Sequence, residues 1–216
     1  MAIEKTTFTA TTLTDRQTEV YNWLSENATD YFETITNDTE HSKIICTFAG
    51  CETAKTEFYF DYNTMASLFL ENGTKYASSC YTDSHIYYKV CEAIKTSYGI
   101  YLGSEENIMT SSSPYQGALI ISKNNDNTTC VSLSYDGFLR DDMRRDIICP
   151  EKSKVLTVTS QVLTADMTTF APIPIAEGVY PENMFFTPFS SARYVGVITD
   201  DNGQKYFYDG YCAIKE

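Results

Sequence analysis

The side chains with the most chemical potential in this sequence are seven cysteines. Cys46 and Cys51 are spaced C-x4-C, and Cys80 and Cys91 are spaced C-x10-C. Structural zinc sites usually show two closely spaced ligand pairs, so these spacings favour zinc only weakly. In a reducing compartment, an odd number of cysteines is better explained as small buried side chains. We therefore expect no metal and no cofactor.

A catalytic nucleophile would need a base beside it. The two histidines, His41 and His85, lie in a polar connector and at the start of a predicted helix. The sequence contains neither a G-x-S-x-G elbow nor a phosphate-binding glycine loop. Four acidic residues next to aromatic or polar runs would be the first candidates for a glycan site: Asp61, Asp83, Asp136 and Asp166. Turns and solvated strand edges explain them more simply, and we expect no enzymatic activity.

The elements that would position a functional surface are clearest at the C-terminal end. Residues 193–199 and 205–214 are rich in β-branched and aromatic residues, and they flank a turn that contains Asn202-Gly203. Asn-Gly between two such runs is a strong hairpin signal. A two-residue loop predicts three facing pairs: Thr199 with Tyr206, Ile198 with Phe207 and Val197 with Tyr208.

Both faces of this predicted hairpin are largely apolar. An antiparallel hairpin normally leaves one polar face to water, so two apolar faces indicate that the chain covers one and a partner covers the other. We therefore expect a subunit contact that uses residues from this hairpin and its flanks: Tyr194, Val197, Ile198, Tyr206, Phe207, Tyr208 and Tyr211.

Two helices are predicted upstream. Thr14 followed by Gln17 is a capping-box pattern, and apolar residues then recur at helical spacing from Val20 through Trp23, Leu24, Ala28, Tyr31 and Phe32 to Ile35. The second helix is predicted from Ser84 to Tyr98, because four apolar residues lie four positions apart: Ile86, Val90, Ile94 and Tyr98.

Two antiparallel hairpins are predicted around the second helix, one from residues 43–48 and 56–60 and one from residues 118–122 and 130–134. These elements predict an α+β domain over residues 1–150. Residues 151–216 show no helical periodicity and contain four prolines, so we expect a smaller β-rich C-terminal region that ends in the terminal hairpin. A single continuous domain is the alternative.

The charge of the chain limits its partners. The net charge is −13, and the densest basic cluster, Arg140, Arg144 and Arg145, lies among four aspartates. Nucleic-acid binding needs an excess of Lys and Arg on one surface, so we expect no nucleic-acid partner. The sequence has no apolar run of eighteen residues and no signal-like start, so we expect no membrane partner and synthesis in the cytoplasm.

The last residues of the chain, from Lys205-Tyr206-Phe207-Tyr208 through Asp209-Gly210-Tyr211-Cys212 to Ala213-Ile214-Lys215-Glu216, follow a hydrophobic strand and an Asn-Gly turn. This pattern resembles the C-terminal ends of small structural proteins from the tail or virion modules of tailed bacteriophages that infect Firmicute-type hosts. The resemblance covers about the last thirty residues and includes no catalytic or ligand-binding residue.

The resemblance implies a non-enzymatic virion subunit, such as a tail, baseplate or accessory capsid protein. Such a subunit would contact copies of itself and other virion proteins, and it would reside in the virion after synthesis in the host cytoplasm. The alternative hypothesis is a recognition module that binds a host surface glycan or protein through exposed tyrosines.

Overall fold

The computed structural model describes residues 3–61, 64–79, 89–103, 118–134, 144–159, 175–186, 196–200, 202–208 and 212–216. Over these ranges the chain forms one α-helix, one short 3-10 helix at Pro150–Lys152 and sixteen strands in three antiparallel sheets. The expected α+β class with two helices is therefore wrong, because most of the described chain is β-structure.

The first sheet is a five-stranded meander in which every strand pairs with the next one along the chain. The predicted hairpin of residues 43–48 and 56–60 is confirmed, with Ile44 opposite Phe58. The strands of this sheet are β2 (Phe32–Asp38), β3 (Lys43–Phe48), β4 (Lys55–Tyr59), β5 (Thr64–Phe69) and β6 (Lys75–Ser79).

The helix α1 (Leu13–Asn27) precedes this sheet. Thr12 caps it, because Thr12 Oγ1 accepts the backbone N–H of Asp15 at 3.1 Å. The cap therefore lies two residues before the predicted Thr14. The predicted extension of the helix to Ile35 is wrong, because residues 32–38 pair with β3, and the β-branched run around Ile35 favours a strand.

The second sheet has seven strands in the order β1-β7-β8-β9-β10-β11-β12. The predicted hairpin of residues 118–122 and 130–134 is confirmed as the pair β9 and β10. The strands are β1 (Glu4–Thr7), β7 (Glu92–Lys95), β8 (Gly99–Gly103), β9 (Ala118–Lys123), β10 (Thr129–Ser134), β11 (Arg144–Cys149) and β12 (Lys154–Thr159).

The predicted helix from Ser84 to Tyr98 is wrong over its described part, because residues 92–95 form β7 and pair with both β1 and β8. A spacing of four residues keeps side chains on one face of a strand as well as of a helix, so the pattern could not separate the two. Residues 84–88 lie outside the described ranges.

The third sheet is formed by the C-terminal part of the chain, in the order β13-β16-β15-β14. Its strands are β13 (Met184–Phe186), β14 (Gly196–Thr199), β15 (Lys205–Tyr208) and β16 (Cys212–Lys215). Upstream, β11 and β12 pair on either side of residue 150. The domain boundary at that residue stays a prediction.

The seven-stranded sheet is the middle layer of the fold. Because successive side chains of a strand point to opposite faces, each strand contributes to two cores. Its first face packs against α1 and the five-stranded sheet through Ile100, Leu102, Leu119, Ile121 and Val131. Its second face packs against the four-stranded sheet through Ile94, Tyr101, Ile120 and Ile147.

Candidate functional site

The C-terminal hairpin is present, but its register differs by one residue from the predicted one. Thr199 lies opposite Lys205, Ile198 opposite Tyr206, Val197 opposite Phe207 and Gly196 opposite Tyr208. The predicted pairing is therefore wrong. The loop between Asp200 and Gln204 has three residues, and Gly203 adopts a φ of +81°, which glycine tolerates without strain.

Hydrogen bonds of the Asp200 side chain set the length of this loop. Asp200 Oδ1 accepts the backbone N–H groups of Asn202 and Gln204, each at 2.9 Å. Its Oδ2 accepts the hydroxyl of Tyr206 at 3.1 Å. Aspartate side chains commonly bond to backbone N–H groups two residues on, and here that bonding favours the longer loop over the two-residue one.

One face of the hairpin is covered within the chain. The Phe207 ring lies 4.9 Å from the Tyr101 ring of the seven-stranded sheet, and only 1% of Phe207 is exposed. Met184 and Ile214 belong to the same core. Phe207 is thus a contact between two sheets of one chain, and its ring offers no surface to a partner.

The other predicted interface residues are distributed differently. Tyr206 is buried, and its ring packs edge-on against Phe185 at 5.6 Å on the opposite face. Val197 is 46% exposed. Ile198 and Tyr208 lie in β14 and β15, whereas Tyr194 and Tyr211 lie outside the described residues. Of the seven candidates, Val197 is the one for which the structure gives an exposed side chain.

The predicted metal and catalytic side chains are not assembled into a site among the residues that the structure describes. Cys46, Cys51 and Cys91 are buried, and burial raises the pKa of Cys46. Within the described ranges, no group of three or more His, Cys, Asp or Glu side chains is arranged to hold a metal ion. Cys80 and His85 lie outside those ranges.

The remaining predicted residues lie mostly at the surface or outside the described chain. His41 is exposed in a turn, where its Nδ1 lies 3.0 Å from both carboxylate oxygens of Asp38. Asp61 is exposed in the bend that follows β4. Three of the four glycan-site candidates fall outside the described ranges: Asp83, Asp136 and Asp166.

The outer surface of the five-stranded sheet carries an organised polar cluster that sequence reasoning missed. The strands of this sheet alternate, so Ile44, Cys46 and Phe48 face the core while Lys43 faces outward. We call this outward cluster the lysine face and define it as Lys43, Lys55, Glu57, Tyr59, Phe69 and Lys75. The signal in the sequence was the alternation Lys55-x-Glu57-x-Tyr59 within a predicted strand.

Glu57 lies at the centre of the lysine face and is only 4% exposed. Its carboxylate accepts Lys55 Nζ at 2.8 Å, Lys43 Nζ at 3.2 Å and the Tyr59 hydroxyl at 2.6 Å. Burial alone would raise the pKa of Glu57, but these three hydrogen bonds outweigh burial and lower the pKa to about 2. Glu57 is therefore charged at neutral pH and fixes both ammonium groups.

Aromatic rings hold the other lysine of the face. The Lys75 ammonium lies 5.5 Å from the centroid of the Phe69 ring and 5.9 Å from that of Tyr59. Lys55 Nζ lies 4.9 Å from the same Phe69 ring. Such cation–π contacts contribute roughly 0.5–1 kcal/mol each at exposed positions. The lysine face thus presents three positive charges on an ordered sheet surface, with the Glu57 carboxylate beneath them and Asp38 opposite Lys43 on the neighbouring strand.

The described part of the chain contains no helix that is both long and apolar enough to cross a membrane. Comparison of the chain with known protein families, with curated proteins and with solved structures finds no match.

Proposed function

We propose that this chain is a non-enzymatic structural subunit of a bacteriophage virion, in its tail, baseplate or accessory capsid layer, and that it acts through protein–protein contacts. The resemblance of the C-terminal residues supports the class of protein. The single structural observation that supports contact-based function is the lysine face, where Glu57 fixes Lys43 and Lys55 on the outer surface of a sheet.

The shape of this surface favours a macromolecular partner. Five strands about 4.8 Å apart, with about five residues each, form a surface of roughly 20 by 17 Å. Small molecules are usually bound in concave, mostly apolar pockets, whereas this broad sheet surface presents aromatic side chains, which are enriched at protein interfaces. An assembly subunit requires such a surface.

The experiment is to locate the chain in purified particles. Particles from infected cells that carry this gene are separated on a density gradient, and their proteins are quantified by mass spectrometry. The proposal expects this chain to sediment with the major virion proteins at a constant ratio. Recovery of the chain solely from the soluble fraction of the lysate would refute it.

A recognition module is the second candidate function, and the exposure of Tyr98 and Tyr180 favours it. Exposed tyrosines stack on sugars and on protein surfaces. Under this function, Tyr98→Ala and Tyr180→Ala would reduce attachment of particles to host cells but leave the number of particles unchanged. A loss of particles in both variants would instead favour the structural subunit.

A further inference from the structure

We propose that the lysine face docks on the acidic outer surface of α1 in a second copy of this chain. This inference rests on the proposed structural role and identifies the partner and the contact. The acidic helix surface is defined here by four exposed carboxylates on α1 and just after it: Asp15, Glu26, Asp30 and Glu33.

Charge complementarity favours a second copy as the occupant. The lysine face brings three ammonium groups against the carboxylate of Glu57, with Asp38 opposite Lys43 at its edge, on a chain whose net charge is −13. The chain therefore provides abundant acidic surface for a basic face to bind. At physiological salt, charges more than about 8 Å apart are largely screened, so the local charges at the contact decide the interaction.

The lysines of this face are already ordered, which lowers the entropic cost of binding. Free surface lysines lose rotamer freedom on binding, at roughly 0.5–1.5 kcal/mol per side chain. Lys43 and Lys55 are held by Glu57, and Lys75 lies against Phe69. Each ammonium group has three donors. Lys43 and Lys55 therefore keep donors for a partner's carboxylates while bound to Glu57.

The acidic helix surface has matching charge and length. The helix α1 contains one basic residue, Arg16, which is buried and donates to the backbone oxygens of Val90 and Ala10. Arg16 also pairs with Glu19 at 3.6 Å, and Lys123 lies near Asp30, so Asp15 and Glu26 carry the excess negative charge of the exposed helix side. Fifteen residues at about 1.5 Å each give a length of roughly 22 Å, which is close to the width of roughly 20 Å of the five-stranded sheet.

The two surfaces are different parts of the molecule, so the contact is heterologous. A heterologous contact repeats from copy to copy and generates a ring or an open filament. One such contact of this size lies at the lower end of protein–protein interfaces, so it would be weak in isolation and strong in an array. This behaviour fits a virion subunit that stays dispersed until it is incorporated.

The test is self-association of the purified full chain, measured by sedimentation velocity and light scattering at low and physiological salt. Lys75→Glu alters the lysine face without removing a ligand of Glu57, and Glu26→Lys combined with Asp30→Lys alters the helix surface. Lys154→Glu is the matched control, because Lys154 is an exposed lysine on β12. Circular dichroism and urea unfolding verify that each variant folds.

We expect the wild type to associate more strongly at low salt, and each interface variant to weaken association at least tenfold. Lys154→Glu should leave association within a factor of two. An equimolar mixture of the two interface variants should associate again, because each contributes one intact surface and the altered surfaces have opposite charges. Recovery in the mixture would support this contact specifically.

Three results would overturn the inference. The first is a wild-type chain that remains at 24.4 kDa in low salt up to about 0.5 mM. The second is equal loss of association in Lys75→Glu and Lys154→Glu. The third is self-association that survives every variant while Lys75→Glu abolishes binding to heparin, which would identify an acidic polysaccharide as the occupant. None of these results removes the chain from purified particles, so the proposed virion role is tested separately.

Discussion

The ring of Tyr101 packs on the ring of Phe207 with centroids 4.9 Å apart and an interplanar angle of 57°. This contact joins the seven-stranded and four-stranded sheets. Tyr101 leans over Gly103, where an added Cβ would collide with the Tyr101 hydroxyl. The absence of a side chain at position 103 therefore lets the Tyr101 ring adopt this position.

Phe207→Ala should destabilise the chain by about 3–5 kcal/mol, because it removes a fully buried ring and leaves a cavity between two sheets. Val197→Ala on the paired strand is the control and should cost at most about 1 kcal/mol, because 46% of Val197 is exposed. Urea unfolding at neutral pH measures both free energies. Equal effects of the two substitutions would contradict the placement of Phe207 in the core.

Gly99→Ala should destabilise the chain by roughly 1–3 kcal/mol through overpacking. A Cβ at this position would lie 2.8 Å from the backbone oxygen of Ile121 and 2.8 Å from Ile214 Cγ2. Adding Ile214→Val removes Cδ1 but keeps Cγ2, so both close contacts of the added Cβ remain and the double variant should recover none of the loss. Thermal unfolding of the single and double variants provides the comparison, and full recovery would show that neither close contact causes the loss.

The lowered pKa of Glu57 makes the stability of the chain depend on pH. Because the pKa in the folded chain is about 2 and the ordinary value is 4.5, the contribution is fully present above pH 4.5 and is lost as the pH falls toward 2. The maximum contribution is about 3 kcal/mol. Glu57→Gln should therefore lower the free energy of unfolding at pH 7, and its difference from the wild type should shrink near pH 2.

The control for this effect is Glu33→Gln, which neutralises an exposed carboxylate on the same sheet. Its effect should stay within about 0.5 kcal/mol at pH 7 and should not match that of Glu57→Gln. Urea titrations at several pH values supply the data. A constant difference between Glu57→Gln and the wild type across this range would mean that the carboxylate charge does not stabilise the lysine face.

Thr12→Ala should destabilise the chain by about 1 kcal/mol, because it removes the acceptor for the N–H of Asp15 at the start of α1. Thr14→Ala should have almost no effect or a slight stabilising one, since Thr14 is exposed within the helix and alanine has the higher helix propensity. Chemical unfolding of both variants measures the difference. A larger loss of stability in Thr14→Ala than in Thr12→Ala would indicate that Thr14 is the cap.

Local patterns predicted the local parts of this fold. Two hairpins followed from alternating apolar residues and polar turns, because pairing between neighbouring strands depends mainly on such signals. The helical segment was predicted too long, because Tyr31, Phe32 and Ile35 also fit a helical stripe. The strand that contains Phe32 and Ile35 depends on pairing with residues 43–48, which a single stretch of sequence does not reveal.

The lysine face could not be predicted for the same reason. Its centre exists because the register of β3 and β4 places Lys43 opposite Tyr59 and Ile45 opposite Glu57. A shift of one residue would turn these side chains to the other face of the sheet. The C-terminal register shows this sensitivity directly, since the hydrogen bonds of Asp200 lengthen the loop by one residue and change every facing pair.

The pairing of β1 with β7 places one of the earliest segments of the chain beside one made much later, with Glu4 opposite Lys95. At a synthesis rate of roughly 5–20 residues per second, β1 leaves the ribosome about 5–20 s before its partner exists. The five-stranded meander pairs only sequence neighbours and can close in the meantime, since local contacts form fastest. β1 is therefore translated before the five-stranded sheet, but it pairs with β7 only after that sheet can close.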